Sequence, residues 1–230
     1  MKAQSLDAGA ERRARLGRAR LMLLFTPELC PAGSEPLAIL ERALPHLDVI
    51  QVRIKEPGFC TAPARSTCDW ARRVLALVAR AQSDALVLVN DRVDVAATLA
   101  DEGLAGVHLG ADDAPPELAR ELLGPEALIG LSTHCAADVA RAEELPLDYL
   151  GFGPIHPTQT KGITRGLGSE AAWIAAQASS RPLFPIGGID ATNAGELFEI
   201  GRAAVSRAIL CAADPGAAAR ALAELLAPAD

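Results

Sequence analysis

The chain lacks the features that would place it in several large functional classes. Its five cysteines (Cys30, Cys60, Cys68, Cys135 and Cys211) are odd in number, scattered, and never spaced as C-x-x-C. That spacing excludes a zinc ribbon and a disulfide framework, and it predicts reduced thiols in a cytoplasmic protein. There is no long apolar run. The stretch 21–25 near the start is far too short for a membrane span or a signal core. Positive charge is not in excess: the net charge of −7 argues against nucleic acid as the main partner. An acidic surface can still enclose a basic pocket, so anionic small molecules stay in view. The four histidines show no metal-ligand spacing, and no linker rich in Pro, Gly or Ser divides the 230 residues. The arginine-rich lead (Arg12, Arg13, Arg15, Arg18, Arg20) resembles a transit peptide only superficially, because Asp7 and Glu11 interrupt it. Residues 1–20 are therefore expected to form a solvated N-terminal extension, with a helix one form open to it, ahead of a domain covering 21–230.

What is present is a regular alternation. Short apolar runs occupy 21–25, 49–54, 85–89, 106–109, 128–131, 149–152, 183–186 and 203–205. Segments of helical pattern lie between and after them, at 36–47, 65–81, 93–102, 115–123, 136–144, 169–178, 192–200 and 217–226. Eight strand–helix units predict a parallel α/β architecture, and eight close naturally into a single-domain (β/α)8 TIM barrel. An open doubly wound sheet is the competitor. Its G-x-G-x-x-G turn is missing, and Thr26-Pro27-Glu28 stands after the first strand instead.

In a barrel the chemistry gathers where strands end. Gln51, Arg53 and Lys55 alternate with Val52 and Ile54, so the period of two puts one amide and two cations on one face. Two like charges pointing into a barrel mouth need compensation, either from a bound anion or from acids such as Asp91 and Asp113. The third strand ends Asn90-Asp91, and the fourth is followed by Gly110-Ala111-Asp112-Asp113. Two carboxylates from adjacent strand ends suit Mg2+, which takes few protein ligands and completes an octahedron with water and phosphate oxygens. Ser132-Thr133-His134 follows the fifth strand; a hydroxyl there could donate to phosphate or could cap the next helix. The loop after the sixth strand holds Thr158, Thr160 and Lys161, and the seventh strand ends Gly187-Gly188. Ser206-Arg207 follows the eighth strand, and the loops after strands seven and eight commonly hold phosphate in barrels.

Taken in order, Gln51-x-Arg53-x-Lys55, Asn90-Asp91, Ala111-Asp112-Asp113, Ser132-Thr133-His134, Pro157-Thr158-x-Thr160-Lys161 and Ile186-Gly187-Gly188-Ile189 resemble the motifs of the thiamine-phosphate synthase family. The resemblance implies a barrel enzyme that joins a hydroxymethylpyrimidine pyrophosphate to a thiazole phosphate and releases pyrophosphate. It implies that Arg53, Lys55, Asn90, Ser132 and Lys161 hold the pyrophosphate and that Asp91 and Asp113 ligate Mg2+. Gln51, Thr158, Thr160 and Gly188 would line the pyrimidine and thiazole-phosphate sites, with Ser206 and Arg207 beside the latter. The chain departs from the family pattern at Pro27, Ala111 and Arg207, and Arg207 could either reinforce or crowd a phosphate. Two other readings remain: a thiazole tautomerase that uses His134, and a non-catalytic barrel that binds thiamine precursors. Partners are expected to be small molecules, with self-association left open.

Overall fold

The computed structural model describes residues 2–55, 62–158 and 165–228, with side chains from residue 8 onward. Among the described residues, eight strands run parallel: β1 (Leu21–Phe25), β2 (Val49–Val52), β3 (Leu86–Asn90), β4 (Gly106–Leu109), β5 (Leu128–Thr133), β6 (Tyr149–Phe152), β7 (Leu183–Pro185) and β8 (Ala203–Val205). Each pairs with its sequence neighbour from β1 to β7, and β1 also pairs with β8. A single Ile186–Ala204 bridge joins the β7 and β8 edges, so the sheet curls round into a nearly closed barrel, as the alternation predicts.

The surrounding helices are α1 (Lys2–Arg18), α2 (Pro36–Ala43), α3 (Ala64–Arg80), α4 (Val93–Leu99), α5 (Pro116–Leu123), α6 (Ala136–Ala142), α7 (Ser169–Ala178), α8 (Arg207–Leu210) and α9 (Pro215–Leu225). Strand alternation sorts the core into two layers. Leu23, Ile50, Val87, Val107, Ile129 and Leu150 point outward into the layer beneath the helices. Met22, Val49, Leu88, Leu128, Tyr149 and Phe184 fill the barrel interior.

Three expectations need correction. The lead before residue 21 is not a solvated extension. The helical pattern holds, as α1, but Leu16 and Ala19 are buried against the interior layer at the N-terminal ends of the strands. Its arginines reach back to the barrel: Arg13 pairs with Asp148 at 2.7 Å, and Arg15 with Asp84 at 2.9 Å. Arg202 in turn donates to the carbonyls of Leu16, Gly17 and Ala19, satisfying the last groups of the helix. The segment 192–200 is not an α-helix either, but a 3-10 turn over Ala194–Leu197. Side-chain bonds to nearby backbone compete with the helix there, since Asn193 Oδ1 accepts from the Asp190 N–H and Asn193 Nδ2 donates to the Gly188 carbonyl. The helix expected over 36–47 stops at Ala43 because Pro45 has no N–H to give, and a 3-10 turn, Leu44–His46, completes it.

Candidate active site

The C-terminal ends of the strands surround a cleft of about 580 Å3. Gln51, Arg53, Asn90, Ser132, Thr158, Gly188, Ser206 and Arg207 all line it, so side chains scattered over 157 positions of sequence meet in one place. Thr160 and Lys161 lie outside the described residues.

β2 positions its polar groups as the two-residue period requires. Gln51 is buried inside the barrel, while Val52 and Ile54 pack beneath the helices. Arg53 continues the inward face just past the strand, its backbone N–H bonded to the Phe25 carbonyl at 2.8 Å. Burial pushes the Arg53 guanidinium below its usual pKa, and Asp91 and Glu28 only partly restore it. Its charge is therefore under-compensated by the described residues, which favours the anion-binding reading over structural ion pairing. Lys55 is exposed but close enough to act on Asp91.

Asp91 occupies an uncommon backbone conformation, with φ of +65°. Its N–H bonds to the His108 carbonyl, and the Arg92 N–H bonds back to the Asn90 carbonyl, both at 2.8 Å. The second bond closes a three-residue turn around Asp91, a strained arrangement for a residue with a Cβ. The turn aims the Asp91 carboxyl at Asp113, with which it hydrogen-bonds. Asp113 is held in turn by the Gly110 N–H, 2.7 Å from its Oδ2. Burial first, and Asp113 second, push the Asp91 pKa up to about 6 against the pull of Arg53 and Lys55. Two carboxyls turned on one another from adjacent strand ends form an all-oxygen donor pair. That pair fits a hard divalent cation that takes its other ligands from water or phosphate. Among the described residues no group of three His, Cys, Asp or Glu side chains gathers, so a site that depends on three or four such side chains is not formed by them.

On β5 the two hydroxyls separate. Thr133 is buried and donates to the Gly151 carbonyl at 2.9 Å, whereas Ser132 faces the cleft with its Oγ 2.9 Å from His108 Nε2. Neither caps α6, so that alternative is set aside. His134 Nδ1 lies 2.5 Å from the Gly153 carbonyl. A carbonyl only accepts, so Nδ1 carries a proton, and in the neutral ring Nε2 keeps its lone pair. Gly187 and Gly188 have φ of +103° and +65°, and a Cβ on Gly188 would stand 2.5 Å from the Pro157 carbonyl oxygen. Glycine is thus required where the β6 and β7 loops touch. Ser206 donates to the Leu24 carbonyl at 2.9 Å, and Arg207, at the start of α8, is exposed on the rim.

Two cleft residues carried no sequence signal as site residues. His108 and Tyr149 both lie in apolar strands, where the run of neighbours suggests core packing.

Known proteins share this sequence and this fold. The family model described as thiamine monophosphate synthase matches residues 21–209. A thiamine-phosphate synthase of Gloeobacter violaceus is 41% identical over 216 residues, covering 93% of this chain and 59% of its own length. One from Chlorobium luteolum is 42% identical over 205 residues, covering 86% of this chain and 92% of its own. The chain thus spans about three fifths of the Gloeobacter relative and nearly all of the Chlorobium one. A solved thiamine phosphate pyrophosphorylase from Pyrococcus furiosus superposes with a TM-score of 0.74 at 31% identity, covering 93% of this chain and 96% of that one. With fold and sequence in agreement, the chain belongs to the thiamine monophosphate synthase family.

Proposed function

We propose that the chain is a thiamine-phosphate synthase, a transferase that joins 4-amino-2-methyl-5-hydroxymethylpyrimidine pyrophosphate to thiazole phosphate with release of pyrophosphate. The observation that carries this reading is the meeting of an under-compensated Arg53 with Asn90 and the Ser132 hydroxyl in one cleft, with the Asp91–Asp113 carboxyl pair close enough to act on Arg53 from outside the cleft lining.

The chemistry asks for such a set. The C–O bond to pyrophosphate breaks before the new C–N bond is made, so positive charge grows on the pyrimidine methylene and negative charge on the leaving oxygen. The protein's task is to stabilise that leaving charge, and it has little need of a strong general base. Arg53, Lys55, Asn90 and Ser132 would donate to the pyrophosphate, joined by Lys161. Gln51 would orient the pyrimidine, with Thr158, Thr160 and Gly188 around the two rings. Ser206 and the exposed Arg207 would receive the thiazole phosphate. Asp91 and Asp113 would hold Mg2+, whose charge, when bound, would neutralise pyrophosphate oxygens. Among the described residues no helix is long and apolar enough to cross a membrane, and Cys30, Cys68, Cys135 and Cys211 are free thiols. A cytoplasmic setting suits both.

The test is a thiochrome fluorescence assay for thiamine phosphate, with both substrates and Mg2+ supplied. Wild type should make product, and Asp91→Ala and Lys161→Ala should each lose about 10²–10³ in rate, as charge-stabilising groups do. Undiminished activity in excess EDTA would overturn the metal assignment. A second reading, the thiazole tautomerase, is favoured by the fixed His134 tautomer, which leaves Nε2 able to accept a proton. It predicts that the unaromatised thiazole is converted and that His134→Ala abolishes the conversion.

A further inference from the structure

The floor of the cleft holds two polar rings, His108 and Tyr149, with no role yet in the synthase reaction. Tyr149, the only tyrosine in the chain, has no solvent exposure. Its ring lies over Gly130, its partner across the β5–β6 register, where a Cβ would stand 2.1 Å from the ring. Tyr149 Oη is 2.9 Å from His108 Nδ1, and His108 Nε2 is 2.9 Å from Ser132 Oγ. Gly151 makes room for the imidazole in the same way, since a Cβ there would stand 3.2 Å from His108 Cε1. Two strand glycines thus clear space for two rings that lead to one hydroxyl.

With His108 neutral, the donors and acceptors along this line run in one direction. The phenol has one proton, and burial holds it there by raising the Tyr149 pKa well above its usual value. The Gln51 amide, whose Nε2 lies 3.9 Å from Met22 Sδ, acts on the phenol oxygen as a donor, opposing the rise in its pKa. The phenol proton then goes to the acceptor beside it, His108 Nδ1. A neutral imidazole that accepts at Nδ1 carries its own proton at Nε2, and that N–H donates to Ser132 Oγ. A serine oxygen already accepting on its inner side turns its own O–H the other way, and Ser132 faces the cleft.

We infer that Tyr149 and His108 are positioning residues that fix the Ser132 hydroxyl with its proton turned into the cleft, toward the leaving oxygen of the pyrophosphate. The inference rests on the synthase reading. As negative charge grows on that oxygen the Ser132 O–H is polarised, and the bonds behind it strengthen in the same sense. A contact that strengthens in the transition state raises kcat and leaves KM little changed. With the opposite tautomer, Nε2 would accept the Ser132 proton and draw it away from the substrate.

The test is a double-mutant cycle on kcat and KM, with thermal unfolding of each variant recorded beside it. Ser132→Ala should lower kcat about 10²-fold, the loss expected for one charge-stabilising donor. Tyr149→Phe keeps the ring but frees the tautomer, and it should lower kcat about tenfold with KM unchanged, as loss of a transition-state contact does. In a Ser132→Ala background the same Tyr149→Phe change should cost nothing further, because the two act through one hydroxyl. His108→Gln, whose Nε2 N–H can replace that of the imidazole, should retain more activity than His108→Ala. A purely structural role would instead give the same fractional loss from Tyr149→Phe in both backgrounds, and that result, or an unchanged kcat in Tyr149→Phe alone, overturns the inference. A folded wild type that makes no thiamine phosphate overturns the synthase reading itself, an outcome distinguishable from the first two.

Discussion

Replacing Asp91 with asparagine should stabilise the fold while removing activity, and the stabilisation should depend on pH in a defined way. In the folded barrel, burial and the neighbouring Asp113 raise the Asp91 pKa from 3.8 to about 6. The folded state therefore holds this proton more tightly than the unfolded chain does. Linkage gives the sign: stability falls with rising pH wherever the folded state binds more protons. The contribution of Asp91 is thus favourable below pH 3.8 and is lost as pH rises through about 6. The full shift corresponds to about 3 kcal/mol at 1.36 kcal/mol per unit. Asp91 is only partly buried, so solvent screening reduces this to about 1–2 kcal/mol. Asparagine tolerates the positive φ at this position as aspartate does, and it keeps the side-chain shape without the charge.

Asp91→Asn should therefore unfold about 3–5 °C above wild type near pH 8, from the usual 2–4 °C per kcal/mol for a chain of this size. By linkage the advantage should shrink to about half at pH 5 and approach zero near pH 4. Scanning fluorimetry of both proteins across that range, in metal-free buffer, makes the measurement. An Asp91→Asn protein that melts below wild type at pH 8 would refute the reasoning. So would a gain of equal size at pH 4 and pH 8, since it could not come from a titrating carboxyl. The pairing of gained stability with lost turnover is the trade expected where charges are assembled for function.

Two further expectations follow from the packing. Leu16→Ala should cost about 2–4 kcal/mol, the usual loss for a buried leucine, because Leu16 is 1% exposed and packs on the interior layer. Chemical denaturation checks this, and a change below about 0.5 kcal/mol, the range of ordinary surface substitutions, would mean that α1 does not contribute to the core. Gly130→Ala puts a methyl group 2.1 Å from the Tyr149 ring. It should destabilise the barrel by about 1–3 kcal/mol through overpacking and lower turnover as well. Combining it with Tyr149→Ala should recover part of the stability, and failure to do so would refute the steric account.

The site was legible in the sequence where one element sufficed to define it. Gln51 and Arg53 share a face because a strand alternates, and the structure places both in the cleft. Asp91 and Asp113 could be named by residue type, but their mutual hydrogen bond requires β3 and β4 to be neighbours and Asp91 to take a positive φ. His108 and Tyr149 were hidden for a related reason. In β4, Gly-Val-His-Leu, and β6, Tyr-Leu-Gly-Phe, a polar ring among apolar residues looks like core. Only the register that sets Tyr149 opposite Gly130 turns it into the end of a line leading to Ser132. The N-terminal lead misled in the opposite sense. Arginines on a short polar segment look solvated, yet here their long stems and donors tie α1 to carbonyls and acids on the barrel while Leu16 and Ala19 fill its end.

These features share one physical cause. A barrel mouth made only for stability would not bury a guanidinium without full compensation, force an aspartate into a strained turn, and press two carboxyls together. Each costs stability, and the costs do not cancel within the protein, because Arg53 and Lys55 fail to bring the Asp91 carboxyl back to its ordinary range. A diphosphate with a divalent cation carries the complementary charges: its oxygens would meet Arg53, and its cation would meet the Asp91–Asp113 pair. The mismatch left inside the cleft therefore describes the ligand in outline, with negative charge beside β2 and positive charge between the ends of β3 and β4. That outline is what most directly links the uncommon backbone at Asp91 to the proposed release of pyrophosphate.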